Sequence, residues 1–207
     1  NVFGREKHKY RLELENVLKE LRVVHNYSEG NDQHSDDGSL NDLSMSPKWV
    51  CCYLTVSLLI NMIVQAGPGA RIAWWDVPCA FKNIPNNPRL LHLFVTQLQT
   101  DDGMKYFVEL TNCFGWTPSE WSWQAVIALI IYCLEKAGVE GLSYYVDNIF
   151  SVVPRNSKLG LDETVRKVEA ELADINVPLH ESGKGTYCDA ALGWELDLDV
   201  KNHARGW

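Results

Sequence analysis

Asp76 closes an apolar run, Ile72-Ala73-Trp74-Trp75, and Asp147 lies between two further apolar runs, 142–146 and 149–153. Acids at the ends of neighbouring strands can point into one shared cleft. Two carboxylates so placed suit Mg²⁺ or Mn²⁺, hard cations that take oxygen ligands and keep several waters or substrate phosphates. A metal pair ~3.5–4 Å apart stabilises the attacking and leaving oxygens of phosphoryl transfer. Spacing alone leaves a plainer alternative open. Asp-Asn is a favoured turn pair, and Asp147 beside Asn148 then serves only its turn.

The elements that must position these acids follow from periodicity. Residues 6–24 read as a charged amphipathic helix, with Leu14, Leu18 and Leu21 at helical spacing. Residues 27–47 are rich in Ser, Asp, Asn and Gly and read as a flexible acidic linker. An uncharged run, 49–66, reads as a buried helix stopped by Gly67-Pro68-Gly69. A short strand, 70–76, follows. Residues 90–98 and 104–111 form a strand pair turning at Asp101-Asp102-Gly103, and 119–137 a buried helix with Ser119 as N-cap. Residues 142–153 read as a hairpin bending at Asp147-Asn148. Residues 162–176 form an amphipathic helix with Val165, Val168, Leu172 and Ile175 on one face, and 192–200 a last hairpin. Strands and helices intermix without βαβ spacing. The expectation is an α+β fold, an antiparallel sheet with helices packed on one face. The linear division is an N-terminal helix (1–26), an acidic linker (27–48) and one domain (49–207).

Composition narrows the function. Of 207 residues, 46% are apolar and eight are Trp, ample for a buried core. The net charge is −8, and no segment is strongly basic, which counts against tight, independent nucleic-acid binding. The six cysteines form no Cys-x-x-Cys pair, so no zinc site is expected. They read as reduced core thiols of an intracellular protein, in cytoplasm or nucleus. Residues 1–24 are charged throughout, unlike a signal peptide. The uncharged run Trp49 to Val64 falls short of the ~20 residues a bilayer-spanning helix needs, so no membrane association is expected.

Four motifs occur in a telling order. Asp76-Val77-Pro78-Cys79-Ala80-Phe81 resembles motif A of reverse transcriptases, an aspartate followed by Ala and an aromatic four and five residues on. Residues 111–123, with Phe114-Gly115-Trp116 and Ser119, resemble motif B. Tyr145-Val146-Asp147-Asn148 resembles the Tyr-x-Asp-Asp box, motif C. Residues 191–196 are similar to the primer-grip turn. Together they cover about residues 68–200 and are fairly specific, and Gly67 to Phe81 looks like the tyrosine-recombinase type of retroelement. The resemblance implies a polymerase palm with little of the fingers and no thumb. It implies an RNA-directed DNA polymerase using Mg²⁺ or Mn²⁺ held by Asp76 and Asp147, with an RNA or DNA template-primer and deoxynucleotides as partners. Phe81 would be the steric gate against a 2′-OH. Gly115, Trp116 and Ser119 would serve template and incoming base, Gly115 because it lacks a side chain. Lys184 would donate a proton to pyrophosphate, although a solvated surface lysine is the favoured reading, and Gly193-Trp194 would hold the primer end.

The sequence also departs from that pattern. Asn148 stands where a second Asp is usual, and an amide brings no charge to a dication. The first Asp of the box is the family's principal ligand, so activity is not excluded. Pro78, Cys79 and Glu120 are unusual in their motifs. Arg71 and Lys82 are the nearest basic groups for a triphosphate, and neither matches a fingers motif. The sequence stops after the primer grip, so two expectations stay open: a fragment missing its thumb and RNase H domains, or a protein that has lost the parts gripping duplex and works with a protein partner. A catalytically degenerate or domesticated palm, kept for binding or assembly, is the alternative reading.

Overall fold

The computed structural model describes residues 2–5, 22–25, 27, 39–44 and 50–199. Helices and antiparallel strands intermix, so the α+β class holds. The chain divides into two units, one of residues 1–50 and 81–123, the other of residues 51–80 and 124–207.

The second unit is built on a four-stranded antiparallel sheet. Its strands are β3 (Arg71–Asp76), β6 (Leu142–Tyr145), β7 (Asn148–Val153) and β8 (Glu181–Gly185), in the order β6-β7-β3-β8. β3 and β7 lack polar alternation because both their faces are dry. On one face Ile72, Phe150 and Val152 pack with Leu54, Leu59, Ala70, Cys188 and Leu198. On the other, Ala73, Trp75, Ile149, Ser151 and Val153 are equally buried. Helix α4 (Gly160–Asp174) lies against β3, β7 and β8 and buries Leu161, Thr164, Val168 and Leu172, a helical stripe.

Helix α2 (Val56–Ala66) starts where the Thr55 hydroxyl accepts from the Leu58 N–H. It stops at Gly67, whose φ of 79° lets its N–H reach the Ile63 and Val64 carbonyls. It begins later than periodicity suggested, because residues 50–55 take no helical turn. Its outward face, Leu58, Ile60 and Val64, is exposed. Among the described residues no helix is long and apolar enough to cross a membrane. A second hairpin, β9 (Tyr187–Ala191) and β10 (Trp194–Asp197), turns at Leu192-Gly193, where φ is 57° and 79°. Two positive φ values in a two-residue loop are what the twist of a tight hairpin requires.

The first unit contains β1 (Val2–Arg5) paired with β2 (Arg22–His25), the short helix α1 (Leu40–Ser44), and a hairpin of β4 (Val95–Thr100) and β5 (Gly103–Val108). The helix expected over 6–24 falls mostly outside the described residues, and its last residues belong to β2. Most of the expected linker, 27–47, also lies outside them. Residues 88–93 form a 3-10 helix rather than the start of a strand, since Pro88 presets its first turn and Asn87 caps it. Helix α3 (Thr117–Lys136) starts two residues earlier than predicted, which places Ser119 inside its first turn rather than at its cap.

Tyr27 anchors the first unit. Its ring meets Phe94 edge-on at 5.9 Å, and the Cys113 thiol donates to its hydroxyl at 3.4 Å. Burial holds the phenol far above its ordinary value of 10.0 and pushes the thiol above 9.0. Both groups must stay neutral in the fold, yet both ionise freely in the unfolded chain. Their contribution to stability is therefore complete below pH 9.0 and is lost as pH rises beyond it. Alkaline unfolding, followed by near-ultraviolet circular dichroism, is expected to move to higher pH in Tyr27→Phe. That variant is also expected to lose about 1 kcal/mol at neutral pH with its hydrogen bond.

Candidate functional site

Asp76 ends the strand that the sheet flanks on both sides. It pairs with Asn148 of β7 and with Glu181 of β8, so the three side chains leave the sheet on one face. The Val77 N–H donates to the Asp147 carbonyl at 2.8 Å, and the His180 N–H to the Asp76 carbonyl at 3.0 Å. The Asp147 backbone is thus tied to the residue that follows Asp76. The Asn148 amide donates to the Asp147 carboxylate at 2.9 Å. One side chain that shares a face with Asp76 therefore touches the carboxylate of Asp147. The two acids sit at the same end of the sheet.

The turn that carries Asp147 is strained. Tyr145 pairs with Asn148, leaving Val146 and Asp147 as the two-residue loop, and Val146 has φ 48°. A β-branched residue there is an outlier that costs about 1–3 kcal/mol, and such strain gathers at functional sites. Val146→Gly is expected to raise stability by roughly 1 kcal/mol, as relief of strain outweighs the greater unfolded freedom of glycine. Thermal melting in EDTA is the measurement.

Carboxylate oxygens are the donor type a hard divalent cation takes. Asp76 keeps 27% of its side chain exposed, enough for a cation that retains water. His180, 59% exposed, places Nδ1 3.4 Å from Asp76 Oδ2. Among the described residues no group of three or more His, Cys, Asp or Glu is arranged to hold a metal ion. Asp76 and Asp147 are the residues that would hold such a cation, with water or phosphate oxygens completing its shell. His180 and Glu181 were missed by sequence reading, because Gly183 and Gly185 around Lys184 read as a loop rather than a strand.

Several expected site residues are placed elsewhere. Lys184 pairs with Ala73, on the sheet face opposite to Asp76, and its ammonium bonds Asp162 at 2.6 Å. It is a surface lysine rather than a proton donor at the carboxylates, because strand alternation turns it away. Ser119 is fully buried and donates to the Cys113 carbonyl at 2.8 Å, so its hydroxyl serves the fold, not a ligand. Asn148 lies beside Asp147, as expected. Trp194 is 61% exposed beside Gly193 in the β9–β10 turn. Arg71 is at the far end of β3 from Asp76.

In the first unit, the Phe81 ring packs on Phe114 at 5.1 Å between centroids. Gly115 is exposed with φ 96°, a conformation that favours glycine. Trp116 packs edge-on to Phe94 at 4.7 Å and donates its indole N–H to Ser44. Lys82 forms an ion pair with Glu109. No known protein family matches the chain, and no curated protein matches it.

Proposed function

We propose that this chain is a reverse-transcriptase-like, template-directed nucleotidyltransferase whose divalent cation is held by Asp76 and Asp147. The observation that carries the reading is the joint placement of the two acids, tied through Val77 and Asn148 at one end of one sheet. The order of the four motifs supports it. When bound, Mg²⁺ or Mn²⁺ supplies Lewis-acid stabilisation of the phosphoryl oxygens. Asp76 supplies a partly exposed carboxylate, and Val146 pays in strain for the position of Asp147. Gly115, exposed and without a side chain, offers a close approach for template.

A second reading, a palm kept for binding or assembly, draws on two observations. Asn148 contributes no charge, and the cationic ends of Lys82 and Lys184 are each paired with a carboxylate. Primer extension on an RNA template with Mg²⁺ and Mn²⁺ separates the two. The polymerase reading expects extension that disappears in Asp76→Ala. Extension-negative protein that also shows no metal-dependent rise in melting temperature sinks it and leaves the binding module.

A further inference from the structure

Residues 39–44 lie within the stretch that composition marks as linker, yet they form a closed local structure. The Ser39 N–H and hydroxyl both donate to Asp42 Oδ2, at 3.0 and 2.7 Å, and the Asp42 N–H returns a bond to Ser39 Oγ at 3.2 Å. This reciprocal cap starts the short helix α1. The Asn41 N–H donates to the Tyr27 carbonyl at 3.0 Å, which ties the helix to a half-buried residue. Asn41 itself is only 6% exposed.

Its side chain spans the middle of motif B. Asn41 Nδ2 donates to the Gly115 carbonyl at 2.9 Å, and Asn41 Oδ1 accepts from the Thr117 N–H at 2.8 Å. Thr117 opens helix α3, and a first-turn N–H has no partner within its own helix. Beside it, Ser44 Oγ accepts from the Trp116 indole at 3.2 Å. Three consecutive residues, Gly115 to Thr117, are thus held by one five-residue helix. The task at Asn41 needs a donor and an acceptor on one short, planar group. Asp lacks the donor, Ala lacks both, and Gln is one methylene too long for the same two atoms.

We infer that Asn41 is a positioning residue that fixes the Gly115–Thr117 turn for contact with a template-primer duplex. The template part of this inference rests on the polymerase reading above; the fixing of the turn does not. Loss of the clamp is expected to weaken binding rather than chemistry, because the atoms Asn41 holds belong to the turn.

The test uses the full chain with Asn41→Ala and Asn41→Asp and three readouts. The first is hydrogen exchange at the Thr117 amide, without nucleic acid. Ala is expected to speed exchange at least about tenfold, whereas Asp, which keeps the acceptor, leaves it near the wild-type rate. The second is anisotropy of a fluorescein-labelled RNA–DNA primer-template, for which both variants are expected to bind about tenfold more weakly. The third is primer extension, in which KM for the duplex rises and kcat stays within about twofold. A general loss of folding would instead lower kcat and melting temperature together, and that result overturns the positioning role. Unchanged Thr117 exchange in Ala overturns the clamp outright. Wild-type protein that neither binds nor extends the duplex sinks the polymerase reading and the template role with it, while Thr117 exchange still decides whether Asn41 fixes the turn.

Discussion

On the proposed polymerase function, Asp147→Ala is expected to lower primer extension by more than about 100-fold, with Asn148→Asp as its informative companion. Losing an outer partner of a metal ligand costs ~10–100-fold, so losing a ligand itself costs more. The companion turns on the 2.9 Å bond from the Asn148 amide to the Asp147 carboxylate. Aspartate at 148 removes that donor and sets two carboxylates side by side. Without metal, the substitution is expected to destabilise by about 1–3 kcal/mol, since a bond to a charged group is lost and like charges repel. With Mg²⁺, the added charge attracts the cation, and the melting temperature is expected to recover with a steeper dependence on metal concentration than in the wild type. Melting curves in EDTA and across a Mg²⁺ series measure both halves. A wild type and an Asn148→Asp variant with identical, metal-independent curves would remove the site at Asp147.

Gly141→Ala is expected to destabilise the second unit by about 3 kcal/mol or more. Gly141 has φ 64°, and a Cβ there would lie 2.1 Å from the Val152 carbonyl oxygen. Val152 in turn donates to the Gly141 carbonyl at 2.8 Å, so the chain cannot relax without giving up that bond. Backbone conformation and overlap therefore act together. Gly138→Ala is the control. Its φ of 88° carries the same conformational penalty, but the nearest atom to a new Cβ is the flexible Lys167 Nζ at 4.0 Å. That variant is expected to lose only about 1–2 kcal/mol. Urea unfolding of the two proteins, compared at equal m-values, is the measurement. Equal losses would mean that the overlap at Val152 is relieved at no cost. The effect reaches function because Gly141 immediately precedes β6, which leads into the Asp147 turn.

What was legible in the sequence was whatever a local pattern encodes. The hairpin over 142–153 is announced by two apolar runs around Asp-Asn. The end of α2 is announced by Gly67, and helix α4 by the spacing of Val168 and Leu172. The α+β class followed from the order of these elements, and the placement of Asp76 at a strand end from Ile72 to Trp75. Other features depend on residues far apart in the chain. Lys184 read as part of a glycine loop, but Gly183 is small because the Trp74 indole lies over it: a Cβ there would come within 2.5 Å of the ring. Backbone pairing with β3 makes 181–185 a strand and turns Lys184 away from the acids. Ser119 looked like a helix cap until Cys113 claimed its hydroxyl. Residues 39–44 looked like linker because five residues carry no periodicity, and their order comes from Gly115, Trp116 and Thr117. The sequence by itself determined the elements whose pattern is local, and that Asp76 ends one of them, since propensity and periodicity act over a few neighbours. Register, face and long-range hydrogen bonding were decided only by the tertiary structure, because strand pairing and burial depend on partners that no local window contains.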